Sequence, residues 1–286
     1  MVKKVTIVTD SIACLTKEFV DQYGIIIVPI SIYFRDKVYR DWIDLTPTKA
    51  YEMFLEDPKS FATSPASPGR YLEAYQKASS KTEGVLCITL SAKLSTGYEM
   101  ACVAKEEAKT ELPQLSVEVM DSQLVTAAQG FIALAAARAA AEGKELAEVV
   151  KVAEEVRSKA NFIILLDTIR HVYRTGRIPK VASQVGSMLR IKPILSMSSG
   201  LVRFSGAARS RERGLDRILQ MMRDKVGQKP VHVAVMHAYV PEEAERLKER
   251  ISSEFNCAEL WLTEFSPVMG YATGTGTLGF AFYSDD

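Results

Sequence analysis

The stretch GVLCITLSAKLSTGY, from Gly84 to Tyr98, joins an apolar run, a hydroxyl-rich turn and the start of a helical pattern. Gly84 to Leu90 has the composition of a buried strand, and the pattern after it predicts a helix from about Ser95 to Thr110. Such a turn can present hydroxyls and backbone N–H groups to a small anion, for example a carboxylate. The stretch therefore predicts an α/β fold with a ligand site at the carboxyl end of this strand.

Two other predicted strands end in a similar way. Val5 to Val8 is followed by Thr9-Asp10-Ser11, and Val117 to Met120 is followed by Asp121-Ser122. In an open parallel sheet the carboxyl ends of the strands line one crevice, which is where such folds bind ligands. We therefore expect Asp10 and Asp121 to lie near the turn that follows Leu90.

A second hydroxyl-rich turn, Thr63 to Gly69, also precedes a helical pattern. Ser67-Pro68 reads as an N-cap followed by proline at the first helical position, as does Thr46-Pro47. If Ser67 caps the helix, the hydroxyls of Thr63 and Ser64 are not needed for capping. These additional hydroxyls favour a binding role for the turn over capping alone.

The rest of the chain predicts two domains. Ile25 to Phe34 reads as one strand, Thr126 to Ala141 as an Ala-rich helix, and the strands flanking Ser198-Ser199-Gly200 as a hairpin. We expect an N-terminal open parallel sheet with flanking helices over residues 1–157. A smaller α/β domain is expected over residues 158–286, with the ligand cleft between the two.

Composition narrows the possible partners. The 286 residues include 36 Lys and Arg against 35 Asp and Glu, a net charge of +1 that gives no reason to expect a nucleic acid. No apolar run approaches the roughly 18 residues of a membrane span, and no signal segment is evident, so we expect a cytoplasmic protein. Four scattered cysteines predict buried free thiols, and only three histidines are present, so we expect no metal site.

Several motifs leave catalytic alternatives open. Asp10 and Asp121 could form a metal or general-base pair, although caps of the following helices are the favoured interpretation. Ser95 could be a nucleophile if His171 or His237 approached it, but no G-x-S-x-G elbow is present. Gly274 to Gly279 matches G-x-G-x-x-G, yet a strand pattern follows it, so a tight turn is predicted there instead of a dinucleotide site.

Taken in order, these motifs resemble the DegV family across nearly the whole chain. The resemblance is carried by Thr9-Asp10-Ser11, the T-S-x-x-S-P-G stretch, S-x-x-L-S at Ser91 to Ser95 and Asp121-Ser122. It continues in Gly176-Arg177-Ile178, Lys192-Pro193-Ile194-Leu195 and the glycine-rich segment from Gly270. Each motif alone is weak, whereas their order and spacing together are specific.

The resemblance implies that a long-chain fatty acid, such as palmitate, is bound in a tunnel between the domains. It implies a non-catalytic, cofactor-free protein that presents the acid to a separate ATP-binding fatty acid kinase, which makes the acyl-phosphate. The carboxylate contacts implied are Thr63, Ser64, Ser95, Thr96 and Thr273. The kinase-facing surface implied includes Arg174, Arg177 and Arg203.

The chain departs from the family pattern at two places. Ser95-Thr96-Gly97-Tyr98 stands where S-G-T-Y is usual, and Ala272 stands where the family has the histidine of its head-group site. Two other functions remain as alternatives to the carrier. One is a hydrolase or phosphotransferase that uses Asp10, Asp121 or Ser95, and the other is a regulatory module that senses fatty acid.

Overall fold

The computed structural model describes residues 4–176 and 191–285. Its strands are β1 Val5–Asp10, β2 Ile26–Val28, β3 Ser31–Phe34, β4 Lys37–Arg40, β5 Phe61–Ser64, β6 Gly84–Thr89, β7 Ser116–Asp121, β8 Asn161–Leu165, β9 Lys192–Ser198, β10 Leu201–Ala208, β11 Val231–His237, β12 Cys257–Glu264 and β13 Leu278–Ser284. Its helices are α1 Lys17–Tyr23, α2 Pro47–Glu56, α3 Pro68–Ser79, α4 Gly97–Glu111, α5 Thr126–Ala141, α6 Leu146–Lys159, α7 Arg170–Thr175, α8 Arg211–Val226, α9 Pro241–Glu254 and α10 Pro267–Thr273.

Four strands form the predicted open parallel sheet, in the order β2-β1-β6-β7. Every residue of β1 and β6 is buried, because α3 and α4 cover one face of the sheet and α5 and α6 cover the other. β6 lies between β1 and β7, so the ends of the three strands at Asp10, Leu90 and Asp121 are neighbours. The shared edge expected from the sequence is confirmed.

The prediction of one strand from Ile25 to Phe34 is wrong. Pro29 separates β2, in the parallel sheet, from β3, in an antiparallel sheet of order β4-β3-β5. Proline has no N–H to donate and a fixed φ, so it interrupts a central strand. The new sheet places Thr63 and Ser64 at the end of strand β5 and not in a turn.

The later strands form a mixed sheet of order β10-β9-β8-β13-β11-β12. The predicted hairpin is present as β9 and β10, joined by Ser199 and Gly200 with φ of 49° and 76°. Two successive positive φ values are typical of a type I′ turn. The predicted domain boundary after residue 157 falls within α6, and the two-domain division stays a prediction.

Helix α5 packs between the two large sheets. It contacts β1 and β6 on one side and β11 and β13 on the other, and nearly all of its residues are buried. Its Phe131 ring meets Trp261 and Tyr283 edge-on, with centroids 5.4 and 5.1 Å apart. Although α5 is apolar, no helix within the described ranges has the combined length and hydropathy that a membrane crossing requires.

Gly130 lets α5 approach the start of the chain. A Cβ atom at this position would lie 2.4 Å from the Ala13 carbonyl oxygen. Gly130→Ala should therefore lower the free energy of unfolding by about 1–3 kcal/mol, although alanine normally stabilises a helix. Chemical denaturation monitored by circular dichroism measures the change.

The matched control is Gly69→Ala in α3, where the nearest atom to a new Cβ is Ser67 Oγ at 3.9 Å. That variant should be neutral or more stable by up to about 1 kcal/mol. Equal effects of the two substitutions would contradict the close approach of α5.

Candidate ligand-binding site

A cavity of about 490 Å³ lies between the parallel and the mixed sheets. Its walls come from the carboxyl ends of β5 and β6, from α7 and α10, and from β8, β9 and β10. This volume is within the roughly 300–1,000 Å³ that is usual for small-molecule sites. The predicted cleft at the strand ends is thus present as a cavity.

The inner part of the cavity is apolar. Its buried walls include Ile12, Leu90, Val125, Phe162, Ile164 and Leu195. None of these side chains carries a polar atom, so this part can receive a hydrocarbon chain but offers no partner to a charge.

The polar lining residues are mostly less buried. Thr63, Ser64 and Ser95 are half-buried and Thr96 is exposed, whereas Thr273 at the end of α10 is buried. The structure therefore brings the predicted carboxylate contacts together, with Ala272 among them. Their role in binding stays a prediction.

The turn after β6 is held by its own backbone N–H groups. Leu90 donates to the Asp10 carboxylate at 2.8 Å, Ser91 to the Leu124 carbonyl at 2.9 Å, and Ala92 to the Asp121 carboxylate at 3.1 Å. The next three N–H groups, those of residues 93–95, donate to the side chain or carbonyl oxygen of Ser91. The N–H groups of residues 90–95 are thus already bonded within the protein and are not available to an anion.

The hydroxyls differ in what they can still donate. Thr273 donates to the Met269 carbonyl at 2.9 Å, whereas Ser95 accepts from the Gly97 N–H at 3.2 Å and keeps its own hydrogen. Thr63 and Thr96 have no side-chain hydrogen bond to any residue in the described ranges. Hydroxyls at both sides of the cavity entrance therefore remain able to donate.

Asp10 is completely buried at the junction of three elements. It accepts from the N–H groups of Leu90 and Ile12 and from Gln129 Nε2, the last at 3.1 Å. Burial raises the pKa of Asp10 to about 6, although these three donors favour the ionised form. Asp10 caps the 3₁₀ turn Ser11–Ala13, in agreement with the capping role favoured from the sequence.

Asp121 does not pair with Asp10. Its carboxylate accepts from Ala92 and Gln123, so it caps the turn that precedes α5 and not α5 itself. Within residues 4–176 and 191–285, no three His, Cys, Asp or Glu side chains are grouped so that they could hold a metal ion. All four cysteines are free thiols, but the predicted burial holds only for Cys14 and Cys87, since Cys102 and Cys257 are partly exposed.

Neither candidate histidine is bonded to Ser95 in the described part of the chain. His237 Nδ1 accepts from the Val240 N–H at 3.4 Å, and burial lowers the pKa of His237 to about 4. His171 packs on the Phe54 ring, with centroids 5.6 Å apart. A serine nucleophile with a histidine base is therefore not assembled here.

Helix α10 was missed in the sequence, although it forms one wall of the cavity through Val268 to Thr273. Ser266-Pro267 repeats the N-cap and proline signal of Thr46-Pro47 and could have revealed it. Ser266 donates to the buried carboxylate of Asp41 at 2.6 Å, and its N–H donates to Cys14 Sγ at 3.3 Å. The N-terminal region thus fixes the start of this wall.

The arginines expected on a partner-facing surface lie in different surroundings. Arg203 is exposed on β10, next to the cavity-lining Val202. Arg174 is exposed on α7, and its guanidinium lies 4.7 Å from the centre of the Tyr271 ring in the cavity wall. Arg177 lies outside the described residues.

The G-x-G-x-x-G match is a turn, as predicted. Gly274 and Gly276 have φ of 89° and 83°, and Gly279 already belongs to β13. A Cβ at Gly274 would come within 2.4 Å of His171 Cδ2, which explains the glycine without a nucleotide.

Comparison with known proteins gives one consistent result. A family model described as an uncharacterised protein of the DegV family matches residues 4–285. A DegV domain-containing protein of Streptomyces coelicolor is 31% identical over 281 residues, which cover 98% of each chain.

Two solved structures agree over the full length. A DegV family protein from Thermus thermophilus, described by its fatty acid binding, is 27% identical, with a TM-score of 0.90 over 99% of this chain and 100% of its own. DegV of Bacillus subtilis, described as a fatty acid binding protein, is 27% identical, with a TM-score of 0.89 over the same shares.

Asp10→Asn should change how stability depends on pH. The unfolded carboxyl, with a pKa near 3.8, releases its proton before the folded one, whose pKa is about 6. The stabilising contribution of Asp10 is therefore complete below pH 3.8 and is lost as pH rises through 6. Relative to the variant, the wild type should lose on the order of 3 kcal/mol of unfolding free energy across this window.

Urea denaturation of both proteins at about pH 3.5 and about pH 7 measures this difference. Subtracting the unfolding free energy of the variant from that of the wild type removes the contributions of the titrating groups that the two proteins share. Asp36→Asn, at an exposed carboxyl, is the control, and its unfolding free energy should differ from that of the wild type by nearly the same amount at both pH values. The same result for Asp10→Asn would contradict the raised pKa of Asp10.

Proposed function

We propose that this protein, which belongs to the DegV family, binds one long-chain fatty acid in the cavity between its two large sheets. The observation that carries the proposal is the division of the cavity into a buried apolar interior and a more exposed polar entrance. A ligand that fits both parts has a hydrocarbon chain and one polar head. The two similar solved structures are of proteins described as binding fatty acids.

The hydrocarbon tail would provide most of the affinity. Each buried CH₂ group gains about 0.8 kcal/mol, so a chain of on the order of fifteen methylenes gains about 12 kcal/mol before the costs of association. Phe162, Ile164 and Leu195 of the mixed sheet would line its path. Palmitate and acids of similar length are the proposed ligands.

The hydroxyls at the entrance would orient the carboxylate. Thr63 and Ser64 approach from β5, and Ser95 and Thr96 approach from the turn before α4. Thr273 would join them from α10 once its hydroxyl turns away from the Met269 carbonyl. Such donors compensate the loss of hydration of the carboxylate when it enters the cavity.

We propose further that the protein performs no chemistry by itself, needs no cofactor, and presents the bound acid to a separate kinase in the cytoplasm. The exposed side of the entrance supports this role, because Thr96 remains accessible. Arg203 and Arg174 would contribute to the surface met by the kinase, as would Arg177. A fatty-acid sensor would use the same cavity and differ only in its partner.

Native mass spectrometry of protein purified from bacterial cytosol should show one added fatty acid mass.

Replacing Thr63 and Ser95 together by alanine should weaken palmitate binding by roughly tenfold to a hundredfold, because two donors to the carboxylate are lost. A fluorescent fatty acid displaced by palmitate measures both affinities.

The control replaces two exposed hydroxyls that do not line the cavity, Thr48 and Ser252, by alanine, and its affinity should equal that of the wild type. A clean apo mass together with no binding of added palmitate would overturn the proposed function. Unchanged affinity of the Thr63 and Ser95 double variant would overturn only the assignment of these two residues.

Addition of a fatty acid kinase subunit and ATP should convert the bound acid to an acyl-phosphate, which hydroxylamine traps. Arg203→Ala should slow this conversion at least about fivefold and leave palmitate affinity unchanged, because loss of a charge at an interface mainly slows association. Arg246→Ala, at an exposed arginine on α9, should have no effect. If the wild type binds palmitate but forms no acyl-phosphate, the carrier role is wrong and the sensor is favoured.

A further inference from the structure

Lys93 is the one cationic side chain among the described residues that line the cavity. It lies in the turn after β6, two positions before Ser95, and its side chain is exposed. Its ammonium group has three N–H donors. One of them donates to the Ser199 carbonyl at 2.8 Å, and no carboxylate of the described residues pairs with this ammonium.

The Lys93 side chain is held in place by the hairpin turn of the mixed sheet. A Cβ at Gly200 would lie 3.4 Å from Lys93 Cδ, so the aliphatic stem passes close to this glycine. Gly200 also accepts a hydrogen bond from Ser91 Oγ at 2.7 Å, which ties the hairpin to the turn. These contacts therefore restrain the ammonium group near the cavity entrance.

No other cationic side chain of the described residues lines the cavity beside Lys93. The N–H groups of residues 90–95 are all bonded within the protein, so they cannot act together as an anion site. The neighbouring carboxylate, Asp121, accepts from the Ala92 and Gln123 N–H groups. The hydroxyls at the entrance are neutral, whereas the Lys93 ammonium would add the attraction of an opposite charge to its hydrogen bond with a carboxylate.

We infer that Lys93 supplies the positive charge that holds the anionic head of the ligand, and that it makes the cavity select an ionised acid over a neutral alcohol of equal length. The inference rests on the proposed function and adds a binding residue to it. Two donors of the ammonium remain for the carboxylate while the third keeps the hairpin turn in place. Tail burial is common to acid and alcohol, so their affinities differ only through the head group, and an effect of the Lys93 charge appears as a change in their ratio.

The test compares the affinities of palmitate and of the saturated fatty alcohol of the same length for the wild type, Lys93→Met and Lys93→Arg. Methionine retains most of the volume without the charge, and arginine retains the charge. Lys93→Met should weaken palmitate binding roughly tenfold and leave alcohol binding within about twofold of the wild type. Lys93→Arg should keep most of the preference for the acid.

Lys105→Met is the matched control, because Lys105 pairs with Glu118 outside the cavity, and it should keep the wild-type ratio of the two affinities. An unchanged ratio for Lys93→Met would overturn the inference. An equal loss for acid and alcohol would also overturn it, since Lys93 would then serve only to hold the hairpin. Wild-type protein that binds neither ligand would overturn the proposed function, and the inference with it.

Discussion

The buried carboxyl of Asp10 is the contact on which the arrangement of the site depends. It joins the end of β1 to the beginning of the turn after β6 through Leu90, and to α5 through Gln129. A carboxyl placed among apolar residues is costly, and its raised pKa records that cost. Three donors offset the cost only while all three elements keep their positions, so the same contact sets the geometry of the cavity edge.

This anchoring has a consequence for how a ligand is recognised. Asp10 and Asp121 take the N–H groups on either side of Ser91, and Ser91 itself is bonded to the hairpin turn. In many α/β proteins the free N–H groups at a helix start bind the anion. Here the N–H groups of residues 90–95, which precede α4, build the turn, and within this stretch only the side chains are left to contact a ligand.

The sequence predicted the local elements of the site well, because their signals are local. The buried runs at β1 and β6 and the Ala-rich helix α5 follow from hydropathy and periodicity alone. The prediction of one strand from Ile25 to Phe34 was wrong because it followed the apolar content of the segment and ignored Pro29, after which the chain enters a different sheet. Hydropathy therefore located the apolar segment but not the sheets to which its two parts belong.

Contacts between distant segments could not be predicted in this way. The position of Lys93 depends on Gly200, more than a hundred residues later, adopting a left-handed conformation beside it. The wall formed by α10 depends on Asp41 and Cys14 meeting Ser266. Each partner looks ordinary in the sequence, and only the fold makes it part of the site.

A backbone donor that is already bonded within the protein cannot serve a ligand. Lys93 therefore stands out as the proposed binding residue only once the hydrogen bonds of the N–H groups around it are known. With the affinity coming from the buried tail, the head can be held by a few exposed donors at the entrance, where another protein can reach it without first displacing the chain.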